Sequence, residues 1–438
     1  MSAIDKSIYE EVIIESADGS KSVDVSRGTV GVFYYEDIFS PNLTAKIIVS
    51  NTGNSIKGPD GNMQSIYNGL PLRGGERVSL KISGNSEDNP GLDFIKSPWF
   101  VSSITNVVAD NEKEAFTLNL VPREALSNET SRVGKKYPAS FSISDSVKDI
   151  VTNYLKSKKS IECDKTENPY GFLGNLRKPF TVLIWLASKS VPGTISGQDA
   201  TAGYVFFETQ EGYKFKSIDQ LIAQKPYKTE YVFTPGDIDH NNPLNDYRIL
   251  KFSTDKNQDM MGKLKRGAFC SHRIFFNPLN FTYTNPEKGL FKLENYAGKA
   301  ENLGKQVTLP GLGGDSDKTL GDVPSRNITA VLDIGTLEKN ASTKGNADPA
   351  KIQSQTMMRY GLITTQSLSM IIPSNTNLKA GDLIKCKFTS VNLEKSVKVD
   401  NEQSGLYMIK ELCHYFDSTG SYTSLTLLRD TFGPKKKW

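Results

Sequence analysis

Alternating apolar and polar residues dominate the first 127 positions of the chain. Apolar side chains at every second position predict half-buried β-strands, because successive residues of a strand point to opposite faces of a sheet. The clearest alternating or β-branched runs are 11–15, 43–49 and 77–82. Clusters of Gly, Asn and Pro separate these runs, as turns separate the strands of a small barrel or sandwich. The region 1–127 is therefore predicted to be a β-barrel domain.

The period of the pattern becomes helical after residue 127. Between 144 and 157 apolar residues recur three or four positions apart, with Ser144 as the expected N-cap and Asp145 in the first turn. A second helix is predicted from Pro179 to about residue 190, and its centre is apolar almost all round, which predicts burial. Two aromatic strand runs and a short helical turn follow. The region 128–245 is therefore predicted to be an α+β insert.

Strand patterns return in the second half of the chain. The region 246–345 is predicted to be β-rich, with a long loop over 303–345 where Gly, Ser, Asp and Asn dominate. A helix from 350 to about 360 opens the last region, 346–438, which is predicted to hold a second barrel. The expected fold class is mainly β, with two similar antiparallel β-barrels flanking a mixed middle region.

A segment near the start of the chain is repeated in weakened form near its end. The gapless matches are 72–82 with 378–388, 99–104 with 407–412, and 116–120 with 423–427. Each copy combines a basic residue, a Gly turn, an acidic residue and alternating strands. Such features occur in any hairpin, so chance is the alternative. Three strands that match in the same order favour a duplicated antiparallel unit. Two units in one chain can build a ring with twice as many units as subunits.

Charge and composition exclude several classes of partner. The chain has 53 Lys and Arg and 49 Asp and Glu, so its net charge is +4, with both signs interspersed. This balance provides no basic surface for wrapping nucleic acid. No apolar run reaches the ~20 residues of a membrane helix, and the N-terminus lacks the basic and apolar segments of a signal peptide. The protein is expected to be soluble and made in a reducing cytoplasm.

The four cysteines are scattered along the chain without a CxxC pair or metal-ligand spacing. They are Cys163, Cys270, Cys386 and Cys413. Cys386 and Cys413 alternate with charged or polar neighbours in predicted strands. Buried free thiols are therefore expected, and a disulfide stays open as the alternative.

Few residues offer catalytic or metal-binding chemistry. His240 follows two aspartates in a turn-forming segment, where a metal ion is the alternative to a solvated loop. Cys270 and His272 would share a strand face, but no oxyanion donor or third orienting group can be argued for them. The Gly-rich stretch 311–315 lacks the lysine and hydroxyl of a phosphate-binding loop. His414 is expected to be structural. No catalytic, cofactor-binding or metal-binding residue is therefore predicted.

The C-terminal copy resembles the closing barrel of the tail-hub family. That family includes the central baseplate hub of T-even-like contractile phages, the late-control tail proteins and the hub half of the VgrG spikes. Its pattern is an "aGD" turn, a "GxYxIxxxxH" strand and a "YxTxLxL" strand, whose first residues are spaced slightly differently here. The matching positions, with the two turn glycines of the first copy, are Gly74, Gly75, Gly381, Asp382, Gly405, Tyr407, Ile409, His414, Tyr422, Leu425 and Leu427. The aromatic hairpin of the insert also resembles hubs of large phages related to the T-even group.

The resemblance implies a structural virion protein without enzymatic activity or cofactor. Such a hub is a homotrimer whose six tube-forming barrels make a ring that joins the sixfold tail tube to the threefold spike. The implied partners are other copies of the chain, the tail-tube or tube-initiator protein, the central spike, the baseplate wedge proteins and the tape-measure protein. DNA would be met only in passage, and no membrane is involved. The implied location is the tail baseplate of a virion, assembled in the host cytoplasm.

Two other readings stay open at this point. A hub of a phage-derived secretion or tailocin device would share the same sequence features. A tail-associated carbohydrate-binding or hydrolytic protein belongs to a different class. No spike or lysozyme segment is recognisable after the second barrel, so those activities are expected on a separate protein.

Overall fold

The structure is a computed structural model, and it describes most of the chain. The described residues are 2–52, 55–58, 61–110, 112–167, 170–195, 198–199, 201–233, 246–256, 259–278, 280–283, 289–294, 302–305, 308–314, 317–331, 349–390 and 398–431.

The first region folds into strands, a single-turn 3-10 helix (Ser26–Gly28) and one short α-helix. In chain order the strands and the α-helix are β1 (Ile8–Glu15), β2 (Ser22–Asp24), β3 (Thr29–Asp37), β4 (Thr44–Asn51), β5 (Ile56–Lys57), β6 (Met63–Gln64), α1 (Ile66–Gly69), β7 (Arg77–Ser83), β8 (Gly91–Asp93), β9 (Trp99–Ala109) and β10 (Glu114–Pro122). The three runs singled out in the sequence fall on β1, β4 and β7, so these predictions are confirmed.

The insert mixes helices with short strands. Its elements are α2 (Arg123–Thr130), β11 (Lys136–Tyr137), α3 (Ile143–Asn153), β12 (Ile161–Cys163), β13 (Phe172–Leu173), α4 (Pro179–Ala187), β14 (Thr194–Ile195), β15 (Gln198–Asp199), β16 (Tyr204–Thr209), β17 (Gly212–Ser217), α5 (Ile218–Ala223) and β18 (Glu230–Val232). Both helices and the aromatic hairpin lie where they were predicted. Side chains of α3, α4, β16 and β17 share a core that is separate from the core of the large sheet.

The prediction that Ser144 caps α3 is wrong, and the N-cap is Ser142. The hydroxyl of Ser142 accepts a hydrogen bond from the Asp145 amide at 3.2 Å and therefore caps the helix. Ser144 is buried inside the first turn, and its amide donates to the Thr166 hydroxyl at 3.1 Å. The helix therefore begins earlier than predicted, at Ile143, and its cap lies two positions before Ser144.

The remaining elements belong to the second half of the chain. They are β19 (Lys251–Lys256), α6 (Met260–Arg266), β20 (Cys270–Asn277), β21 (Thr282–Tyr283), β22 (Leu290–Lys292), β23 (Arg326–Val331), α7 (Pro349–Ile363), β24 (Gln366–Pro373), β25 (Leu383–Lys387), β26 (Gly405–Asp417) and β27 (Ser421–Arg429). Strand β23 lies inside the stretch predicted to be a loop, so the loop prediction is wrong for these residues. Strand β23 pairs in parallel with β20. Its short sequence pattern alone did not predict a strand, because the hydrogen bonds that form it come from β20.

One large sheet organises the described part of the chain. Its main path runs β19-β24-β27-β26-β3-β4-β10-β9-β7-β1-β2, with β25, β18 and β8 attached to the side. All neighbours along this path are antiparallel, whereas β18 joins β25 in parallel. The prediction of a mainly β protein with an α+β insert is confirmed. The two repeated segments lie in one continuous sheet.

Candidate assembly surface

The turn before β7 places a glycine where other residues are strained. Gly75 has φ +92°, and its amide donates to the Val101 carbonyl at 2.8 Å. The Val101 amide donates in return to the Glu76 carbonyl at 2.9 Å. The carboxylate of Glu76 is buried and accepts a hydrogen bond from the Arg73 amide at 2.6 Å. The glycine, the acidic residue and the facing strand therefore form one closed hydrogen-bonded turn.

The turn before β25 repeats this geometry. Gly381 has φ +91°, and its amide donates to the Ile409 carbonyl at 2.8 Å. The Ile409 amide donates to the Asp382 carbonyl at 2.9 Å. The Asp382 carboxylate accepts a hydrogen bond from the Lys379 amide at 2.9 Å. Each of these bonds joins residues that the sequence alignment had paired with those of the first turn, so the repeat predicted from sequence is present in the structure.

The strand register and its irregularities are repeated as well. In the first copy Leu118 faces Ile104 and Leu120 faces Val101, with a bulge between these pairs. In the second copy the aligned residues of β27 and β26 face each other in the same way, and a bulge lies at the same place. A bulge inserts a residue into one strand and is a specific feature of a sheet. Shared bulges therefore support a true duplication over chance similarity of hairpins.

The repeated unit is larger than the sequence indicated. The path β3-β4-β10-β9 in the first copy has the same order and directions as β19-β24-β27-β26 in the second. Strand β19 thus takes the place of β3, although no sequence match connects the two. It is separated from β24 by more than a hundred residues of chain, so only the structure identifies it.

The two units meet inside the chain through β26 and β3. Seven residue pairs form this antiparallel junction, from Glu411 opposite Asp37 to Asp417 opposite Gly31. The Glu36 carboxylate lies at the junction and is 1% exposed. It accepts hydrogen bonds from the Tyr34 hydroxyl in the first unit, the Gln210 amide in the insert and the Ala380 amide in the second unit. The hydrogen bonds lower the pKa of this carboxyl group, but burial has the larger effect and raises the pKa to about 7.

A buried ion pair attaches the insert to the second unit. The Arg359 guanidinium on α7 is 0% exposed and lies 2.5 Å from Asp219 of α5 and 3.1 Å from Asp430 after β27. Buried charges are retained only when paired and hydrogen-bonded. This arginine therefore sets the position of two elements that lie far apart in sequence. Sequence reasoning missed it, because α7 carries no pattern that singles out one of its charged residues.

The family-pattern residues fall into three structural groups. Gly74, Gly75, Gly381 and Gly405 have positive φ angles, and Asp382 closes the second turn. Tyr407, Ile409, Leu425 and Leu427 are buried in the core under the sheet. Tyr422 lies on the opposite, accessible face and stacks against Tyr415 with ring centroids 5.2 Å apart. The pattern therefore marks turn geometry and core packing, and brings no chemical groups together.

His414 is buried and packs against an aromatic ring and a hydroxyl group. It is 1% exposed, and its ring stacks on Tyr34 with centroids 6.0 Å apart. Its Nδ1 lies 2.9 Å from the Thr423 hydroxyl. Burial lowers the pKa of His414 to about 3, so the ring is neutral at physiological pH.

The strands β19-β24-β27-β26-β3-β4-β10-β9 form the eight-stranded path, which contains both repeated units. Hydroxyl side chains are frequent on its accessible face. Its hydroxyl side chains include Tyr35, Thr44, Thr105, Ser369, Tyr415 and Thr426. Charges of both signs are scattered among them, such as Asp37, Lys46 and Lys251. This face is therefore polar but has no continuous patch of one charge.

Each end of the eight-stranded path leaves a strand edge unpaired within the described residues. Beyond its short pairing with β7, strand β9 has no neighbour on one side from Ser103 to Ala109. Val107 and Val108 on this edge are 45% and 67% exposed. At the other end, β19 pairs with β24 only. Unpaired edges with exposed apolar side chains are templates for pairing with another chain.

A cleft lies between the first unit and the insert. Its volume is about 890 Å³, and cationic side chains from both parts line it, among them Arg77, Arg123 and Lys159. Glu15 and Glu124 lie in the same wall. Lys159 is held between Glu124 and Glu208 at 3.1 and 2.5 Å. Arg77 lies 3.8 Å from Glu15 and Arg123 lies 3.8 Å from Glu124, so these three cationic groups of the cleft have acidic partners within the protein.

No constellation in the described residues resembles a catalytic or metal centre. Within them, no group of three His, Cys, Asp or Glu side chains is arranged to hold a metal. His240 lies outside the described residues. Cys270 and His272 lie on β20 as expected, but burial raises the pKa of the Cys270 thiol to about 11, so it is not a thiolate near neutral pH. All four cysteines are free. The helices that the structure describes are too short or too polar to cross a lipid bilayer.

Comparisons with known proteins agree with the resemblance expected from the sequence. No protein-family model matches the chain. A stretch of 302 residues is 22% identical to the probable baseplate hub protein gp334 of Vibrio phage KVP40, over 66% of this chain and 66% of the length of that relative. The match thus spans just under two thirds of the phage protein.

Two solved structures decide the fold. The 43 kDa tail protein of prophage MuSo2 from Shewanella oneidensis has a TM-score of 0.53 at 9% identity, over 96% of this chain and 98% of its own. The tail protein from Neisseria meningitidis MC58 has a TM-score of 0.54 at 10% identity, over 96% of both chains. The chain has a phage tail protein fold. Together with the sequence similarity to a baseplate hub, this confirms the resemblance predicted from the repeated turn and strands.

Proposed function

We propose that the chain is the structural subunit of a contractile-tail baseplate hub, and that three copies form a ring of six similar units. The repeated unit carries this proposal, because a duplicated chain converts threefold into approximate sixfold symmetry. A hexameric tail tube could then stack on one side of the ring and a trimeric spike on the other. The protein would act through shape and would reside in the tail baseplate of a virion assembled in the host cytoplasm.

The eight-stranded path has the size that such a ring requires. Three copies would supply twenty-four strands to one closed sheet. At about 4.8 Å between strands, the circumference is about 115 Å and the backbone diameter about 37 Å, and strand tilt widens it further. Side chains occupy about 5 Å on each wall, which leaves a channel of about 27 Å. A DNA duplex fits such a channel.

The accessible face of the path suits the wall of this channel. Hydroxyl side chains such as Tyr35, Thr105 and Thr426 face solvent there, and the few charges have both signs. A continuous cationic wall would hold DNA through its phosphates and release counterions on binding. The mixed polar wall of the hub would let the tape-measure protein and DNA pass without retaining them.

The remaining partners follow from the position of a hub. The tail-tube or tube-initiator protein would stack on the sixfold side, the central spike on the threefold side, and the wedge proteins around the rim. The outer elements of the two units differ, since β1 flanks β7 in one and β18 flanks β25 in the other. Proteins that bind the outside of the ring would therefore find three equivalent sites.

The mass of the purified protein in solution, followed by electron microscopy of the particles, tests the proposal. A trimer of the 48.4 kDa chain with six lobes around an open centre is the expected result. If the chain alone is monomeric, the same measurement is made after adding the spike protein encoded in the same genome. A stable dimer, an elongated rod or a monomer under both conditions would contradict the hub.

A hub of a secretion or tailocin device is the second candidate function. It would use the same fold and the same ring, so the genes that surround this one distinguish the two. Head and DNA-packaging genes nearby would support a phage, and their absence beside effector genes would support a delivery device. A hydrolytic tail protein is disfavoured, because the described residues place no activated nucleophile or metal-ligand cluster together.

A further inference from the structure

We infer that the unpaired edge of β9, over 103–109, pairs with the unpaired edge of β19 in a second copy of the same chain. This inference rests on the proposed trimer and names the strands and the register that would join its subunits. The internal junction between β26 and β3 provides the template. Strand β26 is the equivalent of β9, and β3 is the equivalent of β19.

The residues of β9 can be matched one by one with those of β26, the equivalent strand of the second unit. Cys413 faces Ser424 and Tyr415 faces Tyr422 in the second unit. In the first unit Thr105 faces Thr117 and Val108 faces Ala115. Because 116–120 aligns with 423–427, Thr105 corresponds to Cys413 and Val108 to Tyr415. Strand β9 holds one residue more between them, and Asn106 with φ +53° provides the bulge that absorbs it.

The hairpin turns after these strands confirm the assignment independently. The Asp110 carboxylate accepts hydrogen bonds from the Glu112 and Lys113 amides at 2.8 and 2.7 Å. The Asp417 carboxylate accepts hydrogen bonds from the amides two and three residues further on, at 2.7 and 3.1 Å. Each aspartate immediately follows or ends its strand. Asp110 is therefore the equivalent of Asp417, as the register of the strands requires.

The equivalent residues of β19 and β3 follow from their neighbours. Phe33 lies opposite Lys46 on β4, and Ser253 lies opposite Ser369 on β24. Lys46 and Ser369 face the aligned residues Asn119 and Thr426. Ser253 is thus the equivalent of Phe33, and the next residues toward the N-terminus correspond in the same way.

The internal junction then fixes the register between subunits. Tyr415 pairs with Phe33, and their rings stack with centroids 6.1 Å apart. Val108 should therefore face Ser253 of the neighbouring copy. Two steps along, Asp417 pairs with Gly31, so Asp110 should face Lys251. Opposite charges that face each other across two strands stabilise their pairing, and both of these side chains are exposed in the single chain.

The second copy is the occupant that these edges favour. The edges of β9 and β19 differ in sequence, so copies of the chain would pair head to tail. Because the internal junction is the template, each contact between copies would repeat the rotation that relates the two units of one chain. A heterologous contact whose rotation closes gives a ring without free edges. Pairing would cover part of Val107 and Val108, which are exposed on the open edge of the single chain.

Cysteine cross-linking tests the register directly. The double variant V108C/S253C is oxidised or treated with a short bismaleimide and analysed on denaturing gels without reductant. S103C/S253C, displaced by about four residues or roughly 13 Å along the strand, is the out-of-register control. F33C/Y415C, which pairs the same positions inside one chain, is the positive control for reactivity. Covalent trimer should form at least several-fold more with V108C/S253C than with S103C/S253C, while F33C/Y415C should remain monomeric on the gel.

The mass in solution, measured on the same samples, distinguishes a wrong β9–β19 register from a wrong trimeric hub. A trimer by mass that gives no cross-link, or equal cross-linking by both pairs, would overturn the β9–β19 register while leaving the trimeric hub intact. A chain that neither cross-links nor forms a trimer, alone or with its spike, would overturn both. Cross-linking to covalent trimer in register, and not out of register, would support both.

Discussion

Substituting each of the two turn glycines by alanine should destabilise the protein unequally. Gly75 and Gly381 have almost the same backbone angle, φ +92° and +91°. Holding a non-glycine residue at positive φ costs about 1–3 kcal/mol. A Cβ at position 75 would meet no atom within 4 Å, so backbone strain is the only destabilising effect of the substitution. We therefore expect Gly75→Ala to lower the free energy of unfolding by about 1–3 kcal/mol.

A methyl group at position 381 would have the same backbone strain and would also contact packed side chains. Its Cβ would lie 3.1 Å from Phe207 Cζ and 3.4 Å from Leu221 Cδ2. Both side chains belong to the core shared by the insert and the second unit, and overpacking such a site costs about 1–3 kcal/mol in addition. Gly381→Ala should therefore lower the free energy of unfolding by about 2–6 kcal/mol. Gly311→Ala is the control, because that glycine is exposed and its Cβ would only touch Lys318 at 3.9 Å.

Urea unfolding of the three variants, followed by circular dichroism, measures these differences. The midpoint should fall in the order Gly311→Ala, Gly75→Ala, Gly381→Ala, and an unchanged slope shows that the same cooperative unit unfolds. Gly311→Ala should stay within about 0.5 kcal/mol of wild type. Equal effects at 75 and 381 would refute the packing argument. No effect at either position would refute the strained turn, and with it the structural reason for both glycines.

Other predictions concern buried charges, histidine and thiols. Arg359→Met leaves two buried aspartates without their cation and should cost about 3–5 kcal/mol, whereas Arg77→Gln breaks an exposed pair and should cost below about 1 kcal/mol in the same urea assay. The pKa of His414 is about 3 in the folded protein and 6.5 ordinarily, so the unfolded chain binds the extra proton and stability is lost as pH falls through this range. His414→Gln should therefore lose less stability than wild type when thermal midpoints are compared from about pH 7 to about pH 4; parallel curves would contradict this. Burial raises the pKa of Cys270 to about 11 and that of Cys386 further, so a thiol reagent at about pH 8 should label both only after denaturation. Rapid labelling of the native protein at either site would show that the core is open there.

Local patterns predicted the parts of the fold that local physics controls. The alternation on β4 and β7, the apolar helix α4 and the hairpin β16–β17 depend on periodicity and turn residues within a few positions. The glycine turns were found because a positive φ restricts the residue type at Gly75 and Gly381. The same constraint acts in both copies, which is why these positions kept their identity while the strands between them diverged.

The remaining features depend on contacts between distant segments. Strand β19 is short and mostly polar, and its place in the sheet is decided by pairing with β24 more than a hundred residues later. Glu36 looks like an ordinary strand residue, yet it accepts hydrogen bonds from three parts of the chain. Arg359 gains its role from aspartates 140 positions before it and 71 after it. Periodicity contains no information about such partners, so the sequence could locate the repeat but not its full extent.

The division between repeated and unrepeated elements has a functional consequence in the proposed ring. The eight strands of the path occur as two equivalent sets of four, and they would form the inner wall. The elements packed outside them differ, because an antiparallel β1 covers the edge of β7 where a parallel β18 covers that of β25. The inner strands would therefore keep the approximate sixfold symmetry that a tube requires on one side of the ring, and the outer elements would reduce the symmetry of the whole ring to the threefold symmetry of a spike on the other side. A protein with two identical domains would present sixfold symmetry everywhere, so the divergence of the outer layers is as necessary to a hub as the similarity of the inner strands.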